Sequence, residues 1–210
     1  MNEKMAEFLG IMFGDGCLSH TGKSRMIYIS GHKQDDLEYH QKITLNLLKE
    51  LFNKDARIEF KNKENTLLIR FSDKNIFEYL SHYLPIGTKY TSLKLLPELK
   101  INQLYFFSFL NGLVSTDGCI VFSKQHKQLA YYPRIEISSK SKLFLVDIIN
   151  ELKKEGFYGS VSYKGKNNYR LELPGRKNLD RWMKNIGFHN PKHLLKIRKN
   201  APLARFELAT

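Results

Sequence analysis

Asp15 and Asp117 each precede a glycine, each end an apolar run, and lie 102 residues apart in a chain of 210. The runs are Phe8-Leu9-Gly10-Ile11-Met12-Phe13-Gly14-Asp15-Gly16 and Leu110-Asn111-Gly112-Leu113-Val114-Ser115-Thr116-Asp117-Gly118. Residues four apart share a helix face, so Gly10 with Gly14, and Gly112 with Thr116, form two strips of small side chains. Such strips let two helix backbones approach closely. A helix apolar nearly all round is expected to be buried. Two helices meeting at a pseudo-dyad bring their C-terminal ends together, and with them Asp15 and Asp117. A carboxylate at a helix C-terminus meets partial negative charge, and two such groups repel. A divalent cation relieves that repulsion and gains oxygen ligands. One Asp-Gly is ordinary turn chemistry. Two at matching positions after matching helices favour a metal-binding pair.

The flanking sequence repeats too. Leu67, Ile69 and Phe71 fall on Tyr169, Leu171 and Leu173, and Leu93-Lys94 falls on Leu195-Lys196, all at an offset of 102. Ile27, Ile29 and Ser30 fall on Ile135, Ile137 and Ser138 at 108, with the extra residues in a longer hairpin tip around Lys124-Gln125-His126-Lys127. In the first half the pattern predicts a hairpin from Leu18 to Ser30 turning at His20-Thr21-Gly22-Lys23, then a helix from Asp35 to Phe52. Strands follow at Arg57 to Lys61 and Leu67 to Phe71, then a helix capped by Asp73 and running to Tyr83. The stretch from Thr88 to Ile101 reads as a connector. In the second half come a hairpin from Ile120 to Ser138, a helix from Lys142 to Lys154, strands at Ser160 to Lys164 and Tyr169 to Leu173, and a helix from Arg176 to Ile186. The expected fold is α+β: a pseudo-twofold pair of αββαββα units, each with a curved antiparallel sheet, packed through the two motif helices. The units span 1–95, with a linker to about 101, and 102–200; the tail 201–210 has no counterpart in the first half.

Lys+Arg number 34 against 21 Asp+Glu, a net charge of +13. Such a surplus favours a polyanionic partner, either nucleic acid or an anionic membrane. No membrane-spanning run, signal peptide or lipidation signal is visible, which leaves nucleic acid. Cys17 and Cys119 are too few for a disulfide framework and read as small apolar side chains at equivalent positions, consistent with an intracellular location.

The two runs resemble the motifs of LAGLIDADG homing endonucleases in their single-chain, two-motif form, and the alternation after each run resembles the same family from about Met5 to Lys199. The ending Gly187-Phe188-His189-Asn190-Pro191-Lys192-His193 also resembles the family. Both copies keep the final Asp-Gly. Phe13 and Ser115 replace the first Asp of the family word, and Asn111 stands where a small residue is usual. The absence of splicing signals at the ends points to an intron-encoded or free-standing enzyme.

The resemblance implies Mg²⁺-dependent hydrolysis of both strands of double-stranded DNA across the minor groove by a monomer. Two or three ions are implied, with Mn²⁺ able to substitute and Ca²⁺ binding without supporting cleavage. Asp15 and Asp117 would hold them, joined by the carbonyls of Gly14 and Thr116. Lys94 and Lys196, as symmetry mates, are candidates to stabilise charge on the phosphate, with Lys192 next. Ser30 with His32, and Ser138 with Lys140, would position water.

Strand alternation sends Ile27, Ile29, Ile58, Phe60, Ile69, Ile135, Ile137, Val161, Tyr163 and Leu171 to the core. The opposite face, suited to a major groove, then carries Tyr28, Arg57, Glu59, Lys61, Arg70, Arg134, Glu136, Ser162, Lys164, Arg170 and Glu172, with Met26 and Leu68 among them, and Arg25 at the strand's start is a further candidate DNA contact. There Arg and Lys read guanine and Glu reads cytosine. The loop lysines Lys23, Lys63, Lys124, Lys127 and Lys166 contact phosphate. The alternative is a non-cutting relative that binds nucleic acid, an RNA maturase or a transcriptional regulator. Retention of both acidic residues favours cleavage.

Overall fold

The structure, a computed structural model, describes residues 1–62, 64–88, 91–124 and 131–200. In the first half, α1 (Glu3–Gly14) is followed by β1 (Gly16–Thr21) and β2 (Ser24–His32). Next come α2 (Leu37–Tyr39), a π-helical stretch (His40–Thr44) and α3 (Leu45–Phe52), then β3 (Ile58–Phe60), β4 (Thr66–Ser72), α4 (Lys74–Ser81) and the short α5 (Pro97–Ile101). The second half repeats the order with α6 (Gln103–Asp117), β5 (Gly118–Lys124), β6 (Tyr131–Ser139), α7 (Lys142–Lys154), β7 (Ser160–Tyr163), β8 (Tyr169–Pro174) and α8 (Arg176–Asn185). A further helix, α9 (Pro191–Asn200), closes it. Among the described residues the strands form two four-stranded antiparallel sheets of equivalent order, β1-β2-β4-β3 and β5-β6-β8-β7.

Local chemistry sets the helix starts. Asn2 and Asn102 cap the two motif helices by accepting the N–H groups of Met5 at 2.8 Å and Tyr105 at 3.2 Å. Asp73 caps α4 as expected, through the N–H groups of Asn75 and Ile76. Ser141 caps α7, and its hydroxyl also donates to the Leu93 carbonyl at 2.8 Å, tying the connector to the second half.

The motif helices form the centre. Every residue of α1 from Met5 to Gly14 is buried. A Cβ at Gly10 would strike the Phe109 carbonyl, and one at Gly112 would strike the Glu7 carbonyl. Those contacts are the same one seen from each side of the pseudo-dyad, since 7 to 109 and 10 to 112 are both steps of 102. Gly14 faces the Thr116 side chain in the same way. Phe13 and Ser115 occupy equivalent places but differ in surroundings. The Phe13 ring packs on Phe109 and Phe144, with centroids 5.2 and 5.6 Å away. Ser115 instead lies in a polar corner and offers its carbonyl to Asn190 at 2.8 Å.

Three expectations need correction. The first hairpin turns at Gly22-Lys23, because Thr21 and Ser24 still pair; Gly22 takes the required positive φ of 59°. Phe60 and Tyr163 do lie on the core face, opposite Leu67 and Tyr169, but they sit at the ends of edge strands. Both are exposed there. The segment after Gly187 was given no helix, yet Pro191 starts α9.

Candidate metal centre and nucleic-acid interface

Asp15 is the C-cap of α1, with its N–H bonded to the Ile11 carbonyl at 3.0 Å, and Asp117 is the last residue of α6. Both line one open cleft of about 640 Å³. Around them stand Gly14, Ser19, Ser30, Thr88, Ser138, Ser139, Lys140 and Asn168. Ser30 anchors the motif end by donating its N–H to the Asp15 carbonyl at 3.1 Å and its hydroxyl at 3.3 Å. Asp15 is half-buried and Asp117 exposed. Thr116 turns its hydroxyl back to the carbonyls of Leu113 and Gly112, at 3.0 and 3.2 Å.

A second cleft of about 520 Å³ flanks Gly118, Cys119 and Ile120. Lys192, Lys196 and Lys199 of α9 line it, opposite Gln34, Asp35 and Glu38. Lys196 therefore reaches a cleft beside the Asp117 helix end. Lys94 is exposed next to Leu93, which lines the first cleft. Cys17 and Cys119 are half-buried, one in each cleft. Burial and the nearby Glu136 carboxylate push the Cys119 thiol above its ordinary pKa.

Among the described residues no cluster of three or more His, Cys, Asp or Glu side chains is placed to hold a metal. The donor set at the helix ends is thus two carboxylates and main-chain oxygens. That set suits a hard cation completing its shell from water or phosphate.

On the sheet faces away from the core, Tyr28 pairs with Arg70 and Ser138 with Arg170. Arg57 is exposed; Arg70 forms an ion pair with Glu59 at 2.8 Å, and Lys61 pairs with Glu64 at 3.4 Å. Arg25 pairs with Glu78 at 3.6 Å, and His32 with Asp35 at 3.3 Å. Lys164 holds Glu172 at 3.0 Å. Ser162 is half-buried, and its hydroxyl has no partner among the described residues. Lys23, Lys124, Lys140 and Lys166 are exposed.

Two residues expected to meet DNA directly do not stand free. The Glu136 side chain is 4% exposed beneath Arg134 and Arg170, whose longer side chains close over it. Lys192 donates to the buried Asp36 at 2.7 Å. Lys63 and Lys127 fall outside the described residues, as do Gln125, His126 and the tail 201–210.

A buried polar cluster went unread in the sequence. Asp36 accepts from Lys192, from Asn190 at 2.8 Å and from the His32 N–H at 2.7 Å. Burial alone would raise its pKa, but these partners hold the carboxyl below its ordinary value. Asn111 donates to the Ile186 carbonyl at 2.9 Å and accepts the His189 N–H at 3.0 Å, which fastens the Gly187–His193 stretch to α6. His189 bonds Glu7 at 2.6 Å, and that carboxylate raises the imidazole pKa. His193 bonds the Val114 carbonyl at 3.1 Å. Burial depresses both His193 and His40 to about 4. The available signal was Asn111 itself, since an amide inside an apolar helix must find partners.

Residues 106–187 match the family described as LAGLIDADG-like domain. Two curated relatives come from Methanocaldococcus jannaschii. A probable translation initiation factor IF-2 is 28% identical over 202 residues, which is 86% of this chain and 14% of that protein. A replication factor C small subunit is 27% identical over 204 residues, 93% of this chain and 10% of that protein. Among solved structures, the homing endonuclease I-DmoI in complex with DNA and Mn is similar with a TM-score of 0.61 at 19% identity, over 88% of this chain and 96% of that one. Full-length DUF199/WhiA from Thermatoga maritima is similar with a TM-score of 0.60 at 20% identity, over 97% and 62%. At such identities the likeness to both structures is one of fold.

Proposed function

From the match of residues 106–187 to a LAGLIDADG-like domain we propose that this chain is a LAGLIDADG-family protein and a site-specific endonuclease hydrolysing both strands of duplex DNA across the minor groove. The observation that carries this reading is the convergence of Asp15 and Asp117 on one cleft, at the joint C-terminal ends of two buried helices. Stability disfavours a carboxylate there, and the chain places one there twice.

Asp15 and Asp117 would hold Mg²⁺ or Mn²⁺, with the carbonyls of Gly14 and Thr116 as further candidate ligands. When bound, the cation supplies Lewis-acid polarisation of the phosphodiester and acidifies water. The chain's own groups do the rest. Ser30, Ser138 and Lys140 line the same cleft and can orient water or hold a phosphate oxygen. Lys94 and Lys196 stabilise charge that develops on the phosphate. The polar sheet faces lie in the major groove and read the site, and the lysines around them contact the backbone. Both motif helices belong to one chain, so a monomer suffices.

A second reading keeps the DNA binding and drops the cutting. It is favoured by the fold shared with DUF199/WhiA. The test is a duplex recovered by selection for binding, incubated with the protein and Mg²⁺. Scission of both strands is expected; stable binding with intact strands would favour the second reading.

A further inference from the structure

Glu136 lies on β6 between Ile135 and Ile137, which fill the core from the other face of the sheet. Its carboxylate therefore points to the face away from the core, yet it is 4% exposed. Two arginines cover it. Arg134 donates its Nε to Oε1 at 2.6 Å, and Arg170 forms an ion pair through Nη1 with Oε2 at 2.8 Å. Both arginines remain about one-third exposed. Burial of a carboxylate is unfavourable without such pairing, so the three side chains are fixed as a unit. Arg134 is engaged through Nε. The Arg134 side chain stays 32% exposed, and the terminal end of the fork is the one that meets guanine O6 and N7 in a major groove. A guanidinium already held in one orientation loses less freedom on binding than a free one.

The first sheet carries a looser version. Arg70 Nε forms an ion pair with Glu59 at 2.8 Å, but Glu59 is 32% exposed and holds its other arginine, Arg57, only at 3.9 Å.

We propose that Glu136 is a specificity-determining positioning residue, clamping Arg134 and Arg170 so that Arg134 reads a guanine in the half of the target facing the second sheet. The proposal rests on the DNA-binding reading above. It also assigns the sharper base preference to that half, because its clamp is the more buried and the better bonded.

The test is selection of bound duplexes from a randomised pool, in EDTA so that binding is read without cleavage. The full chain is compared with Glu136→Gln and Arg134→Lys, and each protein's thermal unfolding is checked. The wild-type chain is expected to enrich guanine at one position of one half-site. Glu136→Gln should lower that preference about ten-fold, in the range of one bidentate contact. Other positions should change little. Affinity for unselected DNA should not fall, since the substitution removes a negative charge. Arg134→Lys keeps the charge but removes the fork, and should lose the same guanine preference. A folded Glu136→Gln with the wild-type profile would overturn the proposal alone. Should Glu136→Gln fail to fold, Arg134→Lys decides, and retention of the guanine preference overturns the clamp. A wild-type chain that enriches no sequence would sink the DNA-reading function and the clamp with it.

Discussion

Asp36 shows what a single residue carries in this fold. It is 5% exposed, and its oxygens bond Lys192, Asn190 and the His32 N–H. Lys192→Met would leave a buried carboxylate without its cation, so it should lower stability by about 3 kcal/mol. Urea unfolding measures this, and an unchanged midpoint would show that the pair contributes nothing. His40 and His193 set a pH dependence. Both are buried and neutral, with pKa values depressed by burial to about 4. In the unfolded chain they take up protons near pH 6.5, whereas the folded chain resists until about pH 4. Stability should therefore fall as pH drops through that window, by up to about 3 kcal/mol per histidine. His189 acts in the opposite sense, because its raised pKa gives stability that is present below its unfolded value and lost as pH rises. It is half-exposed, so its share is small. Asp36, with a lowered pKa, gives stability present above the ordinary carboxylate value and lost only at lower pH. Unfolding midpoints at pH 7 and 4.5 test the balance, and equal values would contradict it. Asp15 and Asp117 were legible because motif and repeat coincide. The roles of Asn111, Asn190 and Asp36 were not, because each depends on a partner at least 75 residues away.

At the scale of elements, the small-residue strips predicted the helix contact that the structure contains. Gly10→Ala or Gly112→Ala would drive a methyl into the backbone of the facing helix. Each should destabilise by about 2–3 kcal/mol, as overpacking of a tight interface does. Gly22→Ala is the contrast: it meets open space but strains a positive φ, and should lose about 1 kcal/mol. Similar losses for all three in chemical denaturation would mean that helix spacing is not set by the glycines. Alternation assigned the buried strand residues correctly on central strands such as β2 and β6. It failed at Phe60 and Tyr163, because the period of two gives the face but not how far the covering helices extend. The π-helical stretch was also invisible, since Asp35 to Phe52 keeps a helical apolar stripe throughout.

For the whole molecule, the repeat near 100 residues gave the duplicated architecture, and the charge of +13 favours a polyanionic partner. Neither could show that the two corners flanking the motif helices differ, one apolar around Phe13 and Phe144, the other polar around Ser115 and Asn190. If the sheets and lysines track DNA phosphates, affinity should fall about 1,000-fold between 50 and 200 mM salt, as six or more phosphate contacts require. A salt-independent affinity would refute that interface.

The central claim is that Asp15 and Asp117 do the cutting and not the binding. The direct measurement compares the wild-type chain with Asp15→Asn and Asp117→Asn on one selected duplex, following both affinity and strand scission with Mg²⁺. Both variants should bind that duplex as specifically as the wild type and make no double-strand break. Double-strand cutting at the wild-type rate by either variant would contradict the account.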